Sequence, residues 1–260
     1  GTDFDEPTAL TDVVYSGQAQ PIAKAGVFKG QFKDEIEDAG IAFRYPTAAN
    51  LPTGVNVGNY TIRYNFNIPT GTNFQWTAGQ QTLSTQGRII KADIEDDDVT
   101  APTPKTNLEY VLNTNQVLLQ TAANASGKGT AWYKVDNGTW TNNINQVVGQ
   151  HVKADNGKYV VSWYIQGDAN HNNYGSTTEP AGTVEVAIAP VQFALVAAPT
   201  AKTDLIFDGN PQSLLATDAQ GTAPNMPTAF TTTWSIDGTD QTAGTIYSNV
   251  KAEHAGTYTV

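Results

Sequence analysis

The chain repeats one short motif three times at equal intervals. In each copy a glycine, a variable residue and a tyrosine begin a run of β-branched and apolar residues, and successive tyrosines lie 99 residues apart. The three copies begin at Gly58, Gly157 and Gly256. A fixed period of this kind indicates that one structural unit recurs along the chain, because similar sequences fold in similar ways. We therefore predict three modules of about 95 residues each.

Two further landmarks keep the same order in every predicted module. A short apolar strand opens each one, at residues 12–17, 107–110 and 204–209. An aromatic residue inside an alternating strand follows it, at Phe43, Tyr133 and Trp234. The intervals between these landmarks vary while the outer ones hold, which is typical of a sandwich with variable surface loops.

The predicted modules span residues 1–95, 101–190 and 198–260, and proline-containing linkers at 95–104 and 197–202 separate them. Proline removes a backbone donor and fixes one dihedral angle, so we expect short, semi-rigid joints. The second module continues from Tyr159 to Ile188, whereas the third has only two residues after its tyrosine. We therefore expect the third module to be incomplete at its C-terminus, with an apolar groove and an unpaired strand edge.

The composition of the periodic segments predicts an all-β chain. Thr, Val, Tyr, Trp and Ile dominate runs such as 60–66 and 158–165, and Asp, Asn and Gly separate those runs as turn residues. Short strands with a turn every ten or so residues favour Greek-key β-sandwich modules. The one helical candidate is the segment 31–38, where Phe28, Phe32 and Ile36 recur every four residues, and we expect a turn or two of helix there.

The order of Asp155, Gly157 and Tyr159 resembles the tyrosine corner of immunoglobulin-like folds. In that corner a tyrosine at the start of one strand bonds back to the chain just before it, so the resemblance implies such a bond in each module. Antibody domains place a cysteine two residues after this tyrosine, whereas this chain has apolar residues at Ile62, Val161 and Val260. The resemblance implies that an apolar core pair stands in place of the disulfide.

Two segments extend the resemblance beyond the fold: 256–260, and the run from Tyr164 to Tyr174. They are similar to the tandem immunoglobulin-like repeats, of the Big and MBG type, in bacterial surface proteins and in tailed-phage virion proteins. The likeness covers nearly the whole chain but consists of short, degenerate motifs. It implies tandem Greek-key sandwiches that act as spacers, decorations or weakly glycan-binding adhesive units.

Composition excludes several classes of function. The net charge of −11, from 25 acidic and 14 basic residues, opposes a phosphate backbone, so we expect no nucleic-acid partner. The absence of cysteine excludes disulfides, iron–sulfur clusters, thiolate zinc sites and a cysteine nucleophile. No apolar run approaches the roughly 20 residues of a membrane span, so we expect no membrane insertion. His151, His171 and His254 are isolated from one another, and we expect each to face solvent.

An acidic cluster lies in the first linker, at Glu95, Asp96, Asp97 and Asp98. Calcium prefers several oxygen ligands, so this cluster is a candidate site that would stiffen the joint, although its spacing differs from that of an EF-hand loop. A solvated acidic linker explains the same residues without a metal. We expect no other cofactor.

Aromatic side chains near loops offer a second candidate site. Flat aromatic rings are how sandwich modules bind sugars, and Trp76 and Trp140 are the candidates for glycan contact. Core packing, or isolated apolar residues on the surface, explains both tryptophans without a ligand.

The sequence lacks a nucleophile elbow, a phosphate loop, a dinucleotide fingerprint and a facing pair of carboxylates. We therefore predict a non-catalytic structural or adhesive protein on a virion, as a capsid decoration, fibre or tail component, or on a bacterial cell surface. Its expected partners are other virion or surface proteins, further copies of itself, and glycans. The alternative is a string of carbohydrate-binding modules attached to a larger secreted enzyme or adhesin.

Overall fold

The computed structural model describes residues 4–45, 50–75, 82–192, 194–222, 234–236, 239–241 and 250–260. Strands dominate this part of the chain. Its helices are one six-residue α-helix, α1 (Lys33–Asp38), and short 3-10 helices at Asp96–Asp98, Ile144–Gln146 and Ala154–Asn156. The protein is therefore all-β, as predicted, and the predicted turn or two of helix near residue 31 is confirmed.

The strands are two to ten residues long. The first ten are β1 (Phe4–Asp5), β2 (Thr8–Ala9), β3 (Val13–Val14), β4 (Gln20–Pro21), β5 (Ala23–Lys24), β6 (Val27–Phe28), β7 (Ala42–Arg44), β8 (Thr53–Gly54), β9 (Gly58–Asn67) and β10 (Leu83–Ile90). The next nine are β11 (Thr103–Pro104), β12 (Leu108–Glu109), β13 (Gln116–Val117), β14 (Leu119–Thr121), β15 (Gly129–Val135), β16 (Val148–Gly149), β17 (Tyr159–Gly167), β18 (Gly182–Val186) and β19 (Ile188–Ala189). The last eight are β20 (Ala194–Ala197), β21 (Thr200–Ala201), β22 (Gln212–Ser213), β23 (Leu215–Thr217), β24 (Gln220–Thr222), β25 (Trp234–Ile236), β26 (Thr239–Gln241) and β27 (Lys251–Ala252).

These strands belong to two compact units. One contains Gly1–Pro104, Leu119–Val147 and Val160–Val184, and the other contains Lys105–Leu118, Val148–Tyr159 and Glu185–Val260. The larger sheets have the strand orders β3–β10–β9–β7 and β15–β17–β18, and the remaining strands form two-stranded pairs. The three modules at 1–95, 101–190 and 198–260 stay a prediction.

Strand β9 shows how sequence alternation builds the first core. Ile62, Tyr64 and Phe66 are buried, while Thr61 and Arg63 on the other face are exposed, because successive side chains of a strand point to opposite faces. Ile62 packs with Ile22, Ala23 and Ile89 in a core cluster. Gly87, in the neighbouring strand β10, has to be a glycine, since a Cβ atom there would lie 2.4 Å from the carbonyl oxygen of Ile22.

Aromatic rings fill the other end of the same sheet. The ring of Phe66 lies 4.8 Å from that of Phe4 and 4.7 Å from that of Phe43, centroid to centroid, and Phe28 stacks on Phe43 at 5.2 Å. Edge-on and offset contacts of this kind add to the free energy of simple burial. Phe43 therefore lies in a strand, as predicted, and is half-buried against these rings, whereas Tyr133 in β15 and Trp234 in β25 are buried strand residues.

Three kinds of contact recur along the chain. The first is the tyrosine contact, in which the hydroxyls of Tyr60, Tyr159 and Tyr258 donate to the carbonyl oxygens of Asn56, His151 and His254 at 2.5, 2.8 and 2.7 Å. The predicted bond from each tyrosine to the chain before it is thereby confirmed. Ile62 and Val161, each two residues after one of these tyrosines, are fully buried. Val260 is exposed, which corrects the expectation that it would pair in a core, and no described strand covers it.

The second recurring contact is a glutamine clamp on the opening strand. The Nε2 atoms of Gln20, Gln116 and Gln212 donate to the carbonyl oxygens of Val14, Glu109 and Ile206 at 2.9, 2.9 and 2.7 Å. The third is a hydroxyl pair at 2.7 Å, which Thr103 forms with Thr121 and Thr200 forms with Thr217. Contacts of each kind span similar separations in the sequence, six or seven residues for the glutamines and 17 or 18 for the threonine pairs, so the segments around them have a similar local strand arrangement.

Candidate functional site: the joint between linker 91–100 and loop 167–174

The segment at residues 91–100 overlaps the first predicted linker, and from here on it is called the first linker. The loop at residues 167–174 holds it, and we call this contact region the joint. The N–H of Ala92 donates to the carbonyl oxygen of Asn170 at 3.0 Å, and the N–H of Asn172 donates to the carbonyl oxygen of Ala92 at 2.8 Å. Ala92 thus forms a parallel bridge with His171. Backbone bonds therefore connect the linker to a loop nearly eighty residues further along the chain.

The side chains of Lys91 and Asn170 stabilise this backbone contact with further hydrogen bonds. The Lys91 ammonium group donates to the carbonyl oxygens of Asp168 and His171 at 2.8 and 2.9 Å. Asn170 reaches back to the first ninety residues, where its Oδ1 accepts from the N–H of Val57 at 3.0 Å and its Nδ2 donates to Oδ1 of Asn56 at 3.3 Å. Asn56 also supplies the carbonyl oxygen that binds Tyr60, so the tyrosine contact and the joint meet at one residue.

His171 lies at the centre of the joint and is the one buried polar or charged residue in the described part of the chain, with 9% of its surface exposed. Its Nδ1 donates to Oδ1 of Asp168 at 2.7 Å, and its ring meets that of Tyr15 edge-on at 5.3 Å. The expectation that every histidine faces solvent is therefore wrong for His171. Burial is tolerated because the carboxylate satisfies the ring nitrogen. His151 and His254 are exposed, as expected.

Electrostatics stabilise the ionised form of Asp168. Burial raises the pKa of this carboxyl, but hydrogen bonds from the His171 ring and from the N–H of Asn170 outweigh that effect, so its pKa lies below the usual value. The Asn170 N–H donates to Asp168 Oδ1 at 2.8 Å. Asp168 is thus a fixed anion that orients both the histidine and the turn of the loop.

Asp93, Asp96 and Asp98 each bind a different partner. Asp98 Oδ2 lies 2.5 Å from the ammonium group of Lys128, whose hydrogen bond, together with one from the N–H of Glu95, lowers the pKa of Asp98. Asp96 Oδ1 accepts from the hydroxyl of Tyr174 at 2.9 Å, which raises the pKa of that tyrosine. Asp93 Oδ1 accepts from Nδ2 of Asn172 at 2.8 Å. The carboxylates therefore point to different elements.

The four candidate calcium ligands likewise do not point to a common centre. The Glu95 side chain caps the 3-10 helix by accepting the N–H of Asp98, Asp97 is exposed, and Asp96 and Asp98 are bonded as above. In the part of the chain that the structure describes, no three Asp, Glu or His side chains converge on a point that could hold a metal ion. The calcium site stays a prediction, and the contacts present act as a structural clamp.

Of the two candidate glycan residues, Trp76 lies outside the described residues. Trp140 is half-buried, its ring meets the ring of Tyr164 edge-on at 5.0 Å, and the Lys134 ammonium group lies 5.1 Å from its centroid. Strand register places Trp132 opposite Tyr164, on the same face of the β15–β17–β18 sheet as Lys134. Trp140 therefore belongs to a packed aromatic face and is not a free-standing ring.

Sequence reasoning identified the acidic linker but missed its partners. Lys91, Lys128 and Asn170 carry no motif, and the Gly167–Asn170 segment was interpretable only as a turn. The one available signal was that a loop of eight residues, 167–174, contains four asparagine or aspartate side chains and a histidine, more hydrogen-bonding capacity than a turn requires.

No family model, curated protein or solved structure matches this chain. None of the helices in the described residues has the length and hydropathy needed to cross a membrane. The joint geometry and the recurring contacts are therefore the basis for a functional proposal.

Proposed function

We propose that this chain is a non-catalytic structural or adhesive protein, built from tandem immunoglobulin-like Greek-key sandwich modules at 1–95, 101–190 and 198–260. The recurring tyrosine and glutamine contacts support three modules, since they tie corresponding strands together at Tyr60, Tyr159 and Tyr258 and at their glutamine counterparts. We place the protein on the surface of a virion, or alternatively on a bacterial cell surface.

The joint is the observation that carries this proposal. Its backbone bridge at Ala92 and the side chains of Lys91 and Asn170 connect the first predicted module to a loop of the second. A module that is displayed or that spaces other modules gains from such a joint, because a fixed connection lowers the entropy cost of contacting a neighbour. His171 and Asp168 are engaged with each other and with the loop backbone, so their role in the proposal is to hold the joint.

The proposed partners are other proteins of the virion or surface structure, and further copies of this chain. The net charge of −11 keeps such a surface protein soluble and disfavours contact with nucleic acid. Edge strands and loops would make the contacts, since two-stranded pairs leave many backbone groups at sheet edges.

Immunoelectron microscopy of the source material tests the proposal. Antibodies raised against the purified chain should label intact particles or cells at regularly spaced surface positions. Label that appears only after lysis would contradict surface display. A hydrolytic activity that is lost in Asp168→Asn, while the variant keeps its fold by circular dichroism, would contradict the non-catalytic assignment.

The alternative is a glycan-binding module string, and the aromatic face around Trp140 is the observation in its favour. A glycan array distinguishes the two functions. Binding that is lost in Trp140→Ala but kept in Thr139→Ala, its exposed neighbour, would support the alternative. Equal array signals for the two variants, or none from the wild type across diverse glycans, would favour the structural function.

A further inference from the structure

The arginines of the chain all lie on one side of the β3–β10–β9–β7 sheet. They are Arg44 in β7, Arg63 in β9 and Arg88 in β10, and each of them is exposed. Every lysine lies outside these three strands, and so does every aspartate and glutamate. The strands therefore carry positive charge alone, in a chain whose net charge is −11.

Strand register gives the neighbours of these arginines. Residues paired across adjacent antiparallel strands point to the same side of a sheet. Four such pairs face outward: Arg44 with Asn65, Arg63 with Ser84, Thr61 with Gln86, and Asn59 with Arg88. Asn65 is half-buried and the other seven residues are exposed. We call these eight residues the arginine face.

Two of the guanidinium groups are open to a ligand. None of the ion pairs between described residues includes Arg44 or Arg63. Arg88 donates through Nε to the carbonyl oxygen of Thr11 at 3.0 Å, and its Nη2 lies 3.2 Å from Oδ1 of Asp12. Both side chains of that pair are more than half exposed, so the pair contributes little stability and Arg88 can also contact an anion.

An anion at this face interacts mainly with the arginines and not with the charge of the whole chain. At physiological ionic strength, exposed charges more than about 8 Å apart are largely screened from one another. The backbones at Arg44 and Arg63, diagonal neighbours on adjacent strands, are about 7–8 Å apart. Those at Arg63 and Arg88 are about 14 Å apart, four residues along one strand and one strand across. The local attraction therefore outweighs the repulsion from distant carboxylates.

The composition of the arginine face fits a hydrated polymer better than a folded protein. Protein interfaces centre on apolar and aromatic side chains, whereas only asparagine, glutamine, serine and threonine separate the three arginines. The next outward pair, Asn67 with Ala42, adds one methyl group. Amide and hydroxyl side chains donate and accept hydrogen bonds, as sugar hydroxyls do. A polymer with both acidic groups and hydroxyls therefore matches the face.

We propose that the arginine face binds an acidic polysaccharide, whose carboxylate or sulfate groups pair with the guanidinium groups while its hydroxyls bond to the side chains between them. The planar guanidinium group binds two oxygens of one acidic group at once, which the ammonium group of lysine does not do. Because the arginines are spread over three strands, several acidic groups of one polymer bind together, and affinity should rise with polymer length. The site is separate from Trp140.

Polysaccharide titration of the immobilised chain by biolayer interferometry tests this proposal. The probes are polygalacturonate, which carries carboxylates, dextran sulfate, which carries sulfates, and neutral dextran. We expect an acidic polymer to bind at physiological salt, dextran not to bind, and about 0.5 M salt to weaken binding severalfold, because salt screens exposed charges. The acidic polymer that binds more tightly identifies the acidic group. Binding by neither acidic polymer, or equal binding by dextran, would overturn the proposal.

Arg63→Ser and Lys24→Ser form a matched pair, since each removes one exposed cation. Arg63 lies three residues after Tyr60, and Ser162 lies three residues after Tyr159 in β17, so a serine fits this strand position. Lys24 lies in β5, which pairs with β2 and is not part of the arginine face. We expect Arg63→Ser to bind roughly fivefold more weakly than the wild type and Lys24→Ser to bind as the wild type does. Equal binding by the two variants would overturn the proposal.

Arg44→Ser is an independent second variant and should also bind roughly fivefold more weakly. Both arginines are exposed, so both variants should fold, as circular dichroism can verify. Trp140→Ala should bind the acidic polymer as the wild type does. Loss of that binding in Trp140→Ala, with normal binding in Arg44→Ser and Arg63→Ser, would overturn the proposal in favour of the aromatic face.

Two other occupants would give distinct results. Concentration-dependent self-association of the chain without polysaccharide, lost in Arg63→Ser, would overturn the proposal in favour of an acidic surface on a second copy. Tighter binding of a single-stranded DNA oligonucleotide than of either acidic polymer would overturn it in favour of nucleic acid. None of these results depends on surface labelling, so this proposal and the proposed function fail separately.

Discussion

The linker at residues 91–100 and the linker at residues 194–202 differ in what holds them. In the first, side chains supply many of the contacts, since Lys91, Asp93, Asp96 and Asp98 each bond to a loop outside the linker. In the second, Lys202 at its end is the one charged residue, and strands β20 and β21 pair through their backbones with β24 and β23. A threonine hydroxyl pair of the same kind lies near the end of each linker, Thr103 with Thr121 and Thr200 with Thr217.

The two linkers are expected to be sensitive to different changes. Backbone ladders do not titrate and are only weakly affected by salt, whereas hydrogen bonds to carboxylates strengthen with ionisation. The first linker is therefore expected to respond to pH and to single side-chain changes, and the second to respond to neither. The amide of Ala92 reports on the first linker, and the amide of Lys202, which donates to the carbonyl oxygen of Leu214, reports on the second.

The largest expected effect is the loss of the first joint in Gly167→Ala. A Cβ atom at this position would lie 2.3 Å from the carbonyl oxygen of Asn172 and 2.4 Å from that of His171, both of them backbone atoms. The loop has to move, and with it the acceptor for Ala92. We expect a loss of about 2–4 kcal/mol in the free energy of unfolding, measured by denaturant titration, and loss of Ala92 protection in hydrogen exchange.

Gly256→Ala is the matched control for this substitution. A Cβ atom there meets nothing closer than 3.7 Å, so the free energy of unfolding should change by less than about 1 kcal/mol. Protection of Lys202 should persist in both variants. A Gly167→Ala protein with normal Ala92 protection would show that the loop does not hold the linker.

The next effect in size is a response to acid that is confined to the first linker. The pKa of Asp168 and the pKa of Asp98 both lie below their usual values. A lowered folded-state pKa contributes stability that is complete above the usual aspartate pKa, near 3.9, and is lost as the pH falls through the lowered value. Protection of Ala92, normalised to its intrinsic exchange rate, should hold from pH 7 to about 4 and fall below that.

Asp168→Asn separates the contribution of this carboxylate. Asparagine keeps an acceptor for His171 but does not titrate, so the variant should have lower Ala92 protection at pH 7 and a flatter response to acid. Lys202 protection should follow only global unfolding in both proteins. If Ala92 and Lys202 lose protection at the same pH, the two linkers do not differ in the way proposed.

Much of the local fold could be predicted from the sequence, because short-range patterns determine it. Alternation in β9 indicated which of its residues are buried, and the spacing of Phe28, Phe32 and Ile36 located helix α1, where Ile36 is indeed buried. The resemblance to a tyrosine corner implied the tyrosine contacts. Each of these features depends on residues within about one element of each other.

The joint could not be predicted in the same way, because its partners are distant in the sequence. His171 has no second histidine nearby and looked like a solvent-facing loop residue, but Asp168 and Tyr15 bury it. Lys128 faces Asp98 only because the turn after Ala125 brings it there, where the Lys128 N–H donates to the Ala125 carbonyl oxygen. Tertiary contacts of polar side chains leave no periodic trace in a sequence.

The smallest expected effect comes from removing one ion pair of the first joint. Lys128→Met removes the partner of Asp98, whose side chain is 24% exposed, and should raise the exchange rate of the joint amides severalfold while leaving the overall fold intact. Lys158→Met removes the partner of Glu185 in a pair whose side chains are more than half exposed, and should change the free energy of unfolding by about 0.5 kcal/mol or less. Adding salt should narrow the difference between wild type and Lys128→Met only partly, since partly buried pairs are screened less than exposed ones. If the two substitutions change the exchange rate of the Ala92 amide equally, the carboxylates of the first linker stabilise it no more than ordinary surface charges do. The joint would then depend on its backbone bridge, as the second linker depends on its backbone pairing.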